Sequence, residues 1–225
     1  FKCISKINLA NTFDEDASND EIYKSLGQPI VQNFLEGYNG TILTFGQTSS
    51  GKTYTMVGNQ KTAGVIEMAI DDILESSSNG NYVLRVGYIE VYKEKIFDLL
   101  DEKKPELKIY EQKGEAMTNQ KQFEVDSKED VMKYFHEGNQ RKQMGASFVN
   151  ENSSRSHTIF RISLDSTDNN DVKISSNLFL VDLAGSEKPD MSKNSFNEGL
   201  FINKSLLALG KIVRQLSEKN VDVKN

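Results

Sequence analysis

The sequence predicts an α/β domain, a central sheet with helices layered against it, and three observations carry that prediction. Segments with strand patterning alternate along the chain with segments of helical periodicity. Leu178-Phe-Leu-Val-Asp182 is a continuous apolar run, as in a central strand covered on both faces. A loop rich in glycine and small hydroxyls stands between a strand-like run and a new helix.

Each element has its own reason. Asn19 is a capping residue, and Ile22, Leu26, Ile30, Val31, Phe34 and Leu35 form one face of a helix to Glu36. Pro29 falls inside that pattern and predicts a kink, and Gly37 ends it. Thr41 to Phe45 reads as a short strand, and a helix opens near Gly51. Val65, Ile66, Ala69, Ile70, Ile73 and Leu74 recur at helical spacing, and Ser76 to Gly80 is a loop. Tyr82 to Tyr92 is a long strand, followed by polar connections at Glu102 to Pro105 and Gln112 to Gln122 around a small hairpin. Ser127 with Asp130 resembles a capping box and opens a helix to about Arg141. Thr158, Phe160, Ile162 and Leu164 alternate with Ile159, Arg161, Ser163 and Asp165 in a strand with one clearly apolar face. From Glu198 to Leu216, Ile202, Leu206, Leu209, Val213 and Leu216 form the apolar stripe of a helix, read as core.

The composition narrows the function classes. The chain has 225 residues and a formal net charge of −6, a weak basis for nucleic-acid binding. Cys3 is the only cysteine, which excludes an internal disulfide framework, fits a reducing compartment and reads as a small buried hydrophobe. No apolar run approaches the ~20 residues of a membrane span. The start at Phe1, without an initiator Met or signal region, predicts a piece of a longer chain.

Gly46-Gln-Thr-Ser-Ser-Gly51-Lys52-Thr53 matches G-x-x-x-x-G-K-[ST] in full. The spacing lets successive backbone N–H groups of Gln47, Thr48, Ser49 and Ser50 face phosphate oxygens, while the following helix brings its positive dipole end to the same place. Lys52 is placed to reach the β and γ phosphates, and Thr53 to ligate Mg²⁺. The guanine-selecting N-K-x-D pattern is absent, since Asn203-Lys204-Ser205-Leu206 lacks its Asp. Binding is not hydrolysis, which needs a metal-side carboxylate, a γ-phosphate sensor and a water-orienting group. Asp182 closes the apolar strand where such a carboxylate belongs, Gly185 offers a bare N–H, and Asn150 to His157 gathers hydroxyls and the guanidinium of Arg155. Taken singly, each segment reads as an ordinary turn or solvated loop. Three of them, each at a strand end, point to one phosphate-facing site.

These segments resemble the kinesin motor domain: Gly46 to Met56 its phosphate loop, Asn150 to His157 its switch I, Asp182 to Glu187 its switch II, and Glu198 to Gly210 its long microtubule-facing helix. The resemblance runs from about Phe13 to Leu216 and implies a three-layer P-loop NTPase that hydrolyses Mg·ATP and moves on microtubules, with hydrolysis coupled through the two switches, by movement at Gly185, to the microtubule-facing helix from Glu198 to Leu216. It implies that Tyr54 packs on the adenine, Ser154 adds a Mg²⁺ ligand, and Asp182 holds the metal through water. Ser153 contacts the attacking water, Arg155 and Glu187 latch the two switches, and Glu187 accepts the water's proton. Asn203, Lys204, Lys211 and Arg214 form the helix face turned to acidic tubulin. Arg141 and Lys142 read as solvated charges, and His136 and His157 are too separated to propose a metal pair.

Tyr82 to Tyr92 and Ser153 to Arg161 look most like the mitotic, centromere-associated branch, which implies a cytoplasmic, microtubule-bound protein of the spindle or kinetochore. Relative to the family, residues 1–225 read as a single partial motor domain, without the opening strand or the C-terminal strand, helix and neck. The parent is then a dimer through segments not in this sequence. Lys188 to Asn197 is short for the loop after switch II, and an exposed apolar sheet edge is expected. A second reading is a non-motile kinesin-like module that binds microtubules or another partner with weak or no ATPase. A third, an unrelated P-loop ATPase, accounts for the first motif and leaves the other two as coincidences.

Overall fold

The computed structural model describes residues 11–77, 82–112, 115–144, 155–167, 173–187 and 196–219. The first helix is built in three pieces: α1 (Asn19–Ile22), a π-helical turn (Tyr23–Gly27) and α2 (Gln28–Leu35). Ser18 rather than Asn19 caps it. Glu21 N–H donates to Ser18 Oγ at 3.2 Å, and Ser18 N–H donates back to Glu21 Oε2 at 2.9 Å. Asn19 is buried, and its amide donates to the carbonyls of Tyr54 and Ala63, both at 3.0 Å. The kink expected from Pro29 is the π turn, in which Gln28 N–H reaches back to Tyr23 O. Pro29 then falls in the first turn of α2, where a missing donor costs least. The extra residue in that turn shifts the helical phase. Tyr23 faces inward, whereas Leu26, expected on the buried face, is 43% exposed.

The remaining elements follow in order: β1 (Gly40–Thr44), α3 (Lys52–Val57), α4 (Val65–Ser77), β2 (Tyr82–Tyr92), β3 (Lys95–Asp98) and β4 (Glu106–Leu107). Then come β5 (Ile109–Gln112), β6 (Glu115–Thr118), β7 (Phe123–Val125), α5 (Lys128–Met144), β8 (His157–Thr167), β9 (Lys173–Asp182) and α6 (Phe196–Lys219). The main sheet runs β1-β9-β8-β2-β3-β4, and β7 also pairs with β2. β1 and β9 are parallel, and the other pairs of this sheet are antiparallel. β5 and β6 form the small hairpin expected from the polar connections. Among the described residues β1 is an edge strand, with Leu43 and Phe45 exposed beside it.

Strand alternation sorts the sheet into two faces. Leu84, Val86 and Tyr88 of β2, Phe160, Ile162 and Leu164 of β8, and Leu178 and Leu180 of β9 lie on one face and are buried. α2 and α3 pack there against β1 and β9, α5 packs on β2, and α4 packs against α2, α3 and α5. Phe160 anchors this core. Its ring meets Tyr88 and Phe135 edge-on, each at 5.3 Å between centroids. Replacing it with alanine is expected to cost about 3–5 kcal/mol, read as a lower urea midpoint at unchanged slope. A midpoint equal to wild type would remove Phe160 from the core.

The opposite face of β8 carries His157, Ile159, Arg161 and Ser163, and α6 approaches it at the His157 end. The apolar stripe of α6, expected as core, is only partly covered. Ile202, Leu206 and Leu209 are half-buried, and Val213 is 53% exposed. An amphipathic pattern reports that a helix face seeks cover, not that a neighbour supplies it. Contact is made by the first half of α6, where Phe201, Ile202 and Ser205 line a cavity with Val91 and His157.

Candidate nucleotide site

β1 ends at Thr44 and α3 begins at Lys52, so the matched loop is the link from a strand of the main sheet to a helix N-terminus. Gly51 has φ +91°, a left-handed conformation that glycine adopts without steric cost, and it turns the chain into α3. Ser50 N–H closes the loop on Gln47 O at 3.2 Å. Lys52 Nζ donates to the same Gln47 carbonyl at 2.8 Å, so the ammonium lies against the loop it serves. Tyr54, in the first turn of α3, is 46% exposed and leaves its ring accessible.

Asp182 ends β9 in register with Thr44 of β1 on one side and Thr158 of β8 on the other. Its carboxylate is buried and accepts two hydroxyls: Thr44 Oγ1 donates to Oδ1 at 3.1 Å and Thr53 Oγ1 to Oδ2 at 2.6 Å. Strand end, helix start and acid are thereby joined at one point. The donor set is oxygen only, a hydroxyl beside a carboxylate. It fits Mg²⁺, which takes few protein ligands and fills its other positions with phosphate and water. Thr44 was not among the residues singled out from the sequence. It is the last residue of the run that pairs with β9, and only that register sets it opposite Asp182.

The segment after Asp182 is strapped to the phosphate loop. Leu183 N–H donates to Thr44 O at 3.4 Å and Ser186 N–H to Gly46 O at 3.1 Å. Glu187 receives Thr48 N–H on Oε2 at 2.8 Å and the Thr48 hydroxyl on Oε1. Partial burial pushes this carboxyl up, but the two Thr48 hydrogen bonds and nearby Lys52 outweigh it and hold the group below its ordinary range. Gly185 stands between the straps, and a Cβ there would collide with Glu187 and Thr48. The carboxylate expected to latch onto Arg155 is thus held by the phosphate loop in this conformation. Arg155 stands two residues before the start of β8. Ser153, Ser154 and the rest of 145–154, the loop 188–195, and Cys3 lie outside the described residues.

The row across the strand ends continues to Glu90, paired with Thr158 in register, buried, and bridged to Lys104 at 2.7 Å. Two expectations for α5 are corrected here. Arg141 is half-buried, donating to Leu99 O at 3.0 Å and pairing with Glu137. Lys142 is not a solvated charge either: burial pulls its ammonium below the usual range, against the opposing pull of Asp182 and Glu90. His157 Nδ1 accepts Ala184 N–H at 3.0 Å, and Nε2 lies 2.7 Å from Ser205 Oγ of α6. Burial and the charge of Lys142 hold the imidazole below its usual range, hence neutral. Among the described residues no cluster of His, Cys, Asp and Glu could hold a metal by itself, and no helix is long and apolar enough to cross a membrane.

Comparison with known proteins agrees with this geometry. The kinesin motor domain family model matches residues 4–224. Kinesin-related protein 4 of Dictyostelium discoideum is 39% identical over 92% of this chain and 11% of its own length. Kinesin heavy chain of Drosophila melanogaster is 38% identical over 97% of this chain and 24% of its own. Human centromere-associated protein E is 36% identical over 95% of this chain and 8% of its own. The chain therefore spans a minor part of the curated relatives it matches. Among solved structures, a fast kinesin superposes with a TM-score of 0.84 at 33% identity, covering 95% of this chain and 64% of that one. A kinesin dimer in a two-heads-bound state, with AMP-PNP on a microtubule, superposes with a TM-score of 0.78 at 34% identity, covering 90% and 62%. Family model, sequence relatives and fold converge on one statement: the chain belongs to the kinesin motor domain family.

Proposed function

We propose that this chain is the ATP-hydrolysing part of a microtubule motor. The observation that carries the reading is the Asp182 carboxylate, joined to Thr53 of the phosphate loop at 2.6 Å, with Glu187 clasped to Thr48 of the same loop. A loop that only binds Mg·nucleotide has no need of an acid on the water side. Two acids, on the metal side and the water side, are what phosphoryl transfer to water requires.

The roles follow from the chemistry of the residues. Backbone N–H groups of Gln47 to Gly51 bind phosphate oxygens, and Lys52 exchanges the Gln47 carbonyl for them. Thr53 and, through water, Asp182 would hold Mg²⁺, and Ser154 would supply a further hydroxyl. When bound, the metal neutralises charge on the β and γ phosphates. Gly185 presents its N–H to the γ-phosphate. Glu187 leaves Thr48, pairs with Arg155, and takes the proton of a water that Ser153 orients. Tyr54 covers the adenine. On the track side, Asn203, Lys204, Lys211 and Arg214 of α6 meet the acidic tubulin surface, with Lys204 released from Glu94, which it now holds at 2.5 Å.

Tyr82 to Tyr92 and Ser153 to Arg161 are the segments behind assignment to the mitotic, centromere-associated branch, with a site of action on spindle or kinetochore microtubules and a dimeric parent. Human centromere-associated protein E stands beside other kinesins at similar identity. The test is a titration of the chain with fluorescent Mg·ADP and Mg·ATP beside Lys52→Ala. Loss of one charge-assisted phosphate contact is expected to weaken binding at least about tenfold. Equal binding by both proteins overturns the nucleotide reading. Microtubule pelleting that ignores nucleotide state overturns the motor reading and leaves the non-motile module.

A further inference from the structure

His157 closes the switch I segment and opens β8, yet phosphate chemistry leaves its ring without a task. The ring joins two elements that a motor must move together. Nδ1 accepts the N–H of Ala184 at 3.0 Å, so in the neutral ring the proton sits on Nε2. Nε2 then donates to Ser205 Oγ at 2.7 Å, and Ser205 donates onward to Ile202 O at 2.7 Å. Every bond in this path points the same way, from the backbone beside Gly185 to the backbone of α6. Its start is rigidly placed, because Ala184 is fully buried and His157 is 8% exposed. Its end falls on the half of α6 that touches the domain, whereas Leu207, Ile212 and Val213 farther along are exposed.

We infer that His157 is a positioning residue, whose imidazole carries displacement of the Ala184–Gly185 segment to α6 through the Ser205 hydroxyl. The inference rests on the nucleotide reading above. A phosphate that draws in the Gly185 N–H moves the adjoining peptide of Ala184. The Ala184 N–H cannot move without either pulling the ring or losing it. The ring is held from both sides, so Ser205 and the first half of α6 follow. Packing alone gives a different expectation, in which a side chain of similar volume at either position preserves the response.

The experiment measures hydrogen exchange in the chain with Mg·ADP or Mg·AMP-PNP, for wild type, Ser205→Ala, Ser205→Thr and His157→Asn. Ser205 is half-buried, and its truncation leaves the core intact. In His157→Asn the side-chain oxygen replaces Nδ1 as acceptor for Ala184, and nothing reaches Ser205. In wild type, exchanging ADP for AMP-PNP is expected to change exchange in 196–209 at least about fivefold, a typical coupling between sites. Ser205→Ala and His157→Asn lose that change, Ser205→Thr keeps it, and nucleotide protects residues 46–53 in all four. A protected phosphate loop with α6 responding equally in Ser205→Ala overturns the relay and leaves nucleotide binding standing. A protected loop with no α6 response in wild type overturns the relay as well. A phosphate loop that neither nucleotide protects overturns the nucleotide reading, and the relay falls with it.

Discussion

Replacing Glu187 with alanine is expected to leave Mg·ATP bound and to lower turnover by at least about a hundredfold, the usual contribution of a positioned acid–base group. The carboxylate touches the phosphate loop only from outside, through the N–H and hydroxyl of Thr48, and the residue is exposed. Its removal frees two donors that water can satisfy, so the loop keeps its shape. The ionised state is already secured, because the Thr48 bonds and Lys52 outweigh partial burial. The loss therefore falls on the chemical step, in a single-turnover assay that separates binding from hydrolysis. Wild-type turnover in Glu187→Ala sinks the role given to this residue. A Glu187→Gln control separates charge from shape, because it retains an acceptor for Thr48 and cannot take a proton.

Much of this site was legible in the sequence because its motifs are local. The loop from Gly46 to Thr53 needs a fixed spacing, and the apolar run ending at Asp182 needs a covered strand. Both patterns survive any tertiary arrangement. The strand from Tyr82 to Tyr92 has the predicted bounds because Ser76 to Gly80 marks its start and the charged pair Lys93-Glu94 its end. What stayed hidden depends on register or phase. Thr44 meets Asp182 only because β1 and β9 pair in parallel with those residues opposite. The partner of Glu187 is far away in sequence, on a loop whose own pattern speaks of phosphate alone. Tyr23 displaced Leu26 from the buried face because a π turn adds a residue that a 3.6-residue period does not contain. Lys142 reads as a surface charge on a polar helix end, and only the packing of α5 toward Asp182 and Glu90 desolvates it.

Gly185→Ala is expected to separate nucleotide binding from the response to it. The added Cβ would collide with Glu187 Oε2 and Thr48 Oγ1. The backbone has little freedom to retreat. Ala184 is tied to His157 at 3.0 Å on one side, and Ser186 is tied to Gly46 at 3.1 Å on the other. The Thr48–Glu187 clasp must open instead, and the methyl group then stands beside the N–H that is to close on a γ-phosphate. Of the phosphate loop only the Thr48 hydroxyl takes part in the collision, and Asp182 lies outside it, so Mg·ADP still binds. Losing one preorganised backbone donor at the reacting phosphate is expected to lower turnover about 10²-fold or more. The preference for AMP-PNP over ADP should disappear with it, measured by competition against a fluorescent nucleotide. Gly46→Ala is the contrasting substitution. Its Cβ likewise meets the end of a movable side chain, Ser50 Oγ at 2.5 Å, but its N–H has no sensing role, so its effect on turnover should be far smaller. Equal losses in the two variants would show that any crowding of the loop stops the reaction, and that Gly185 has no special part in sensing phosphate.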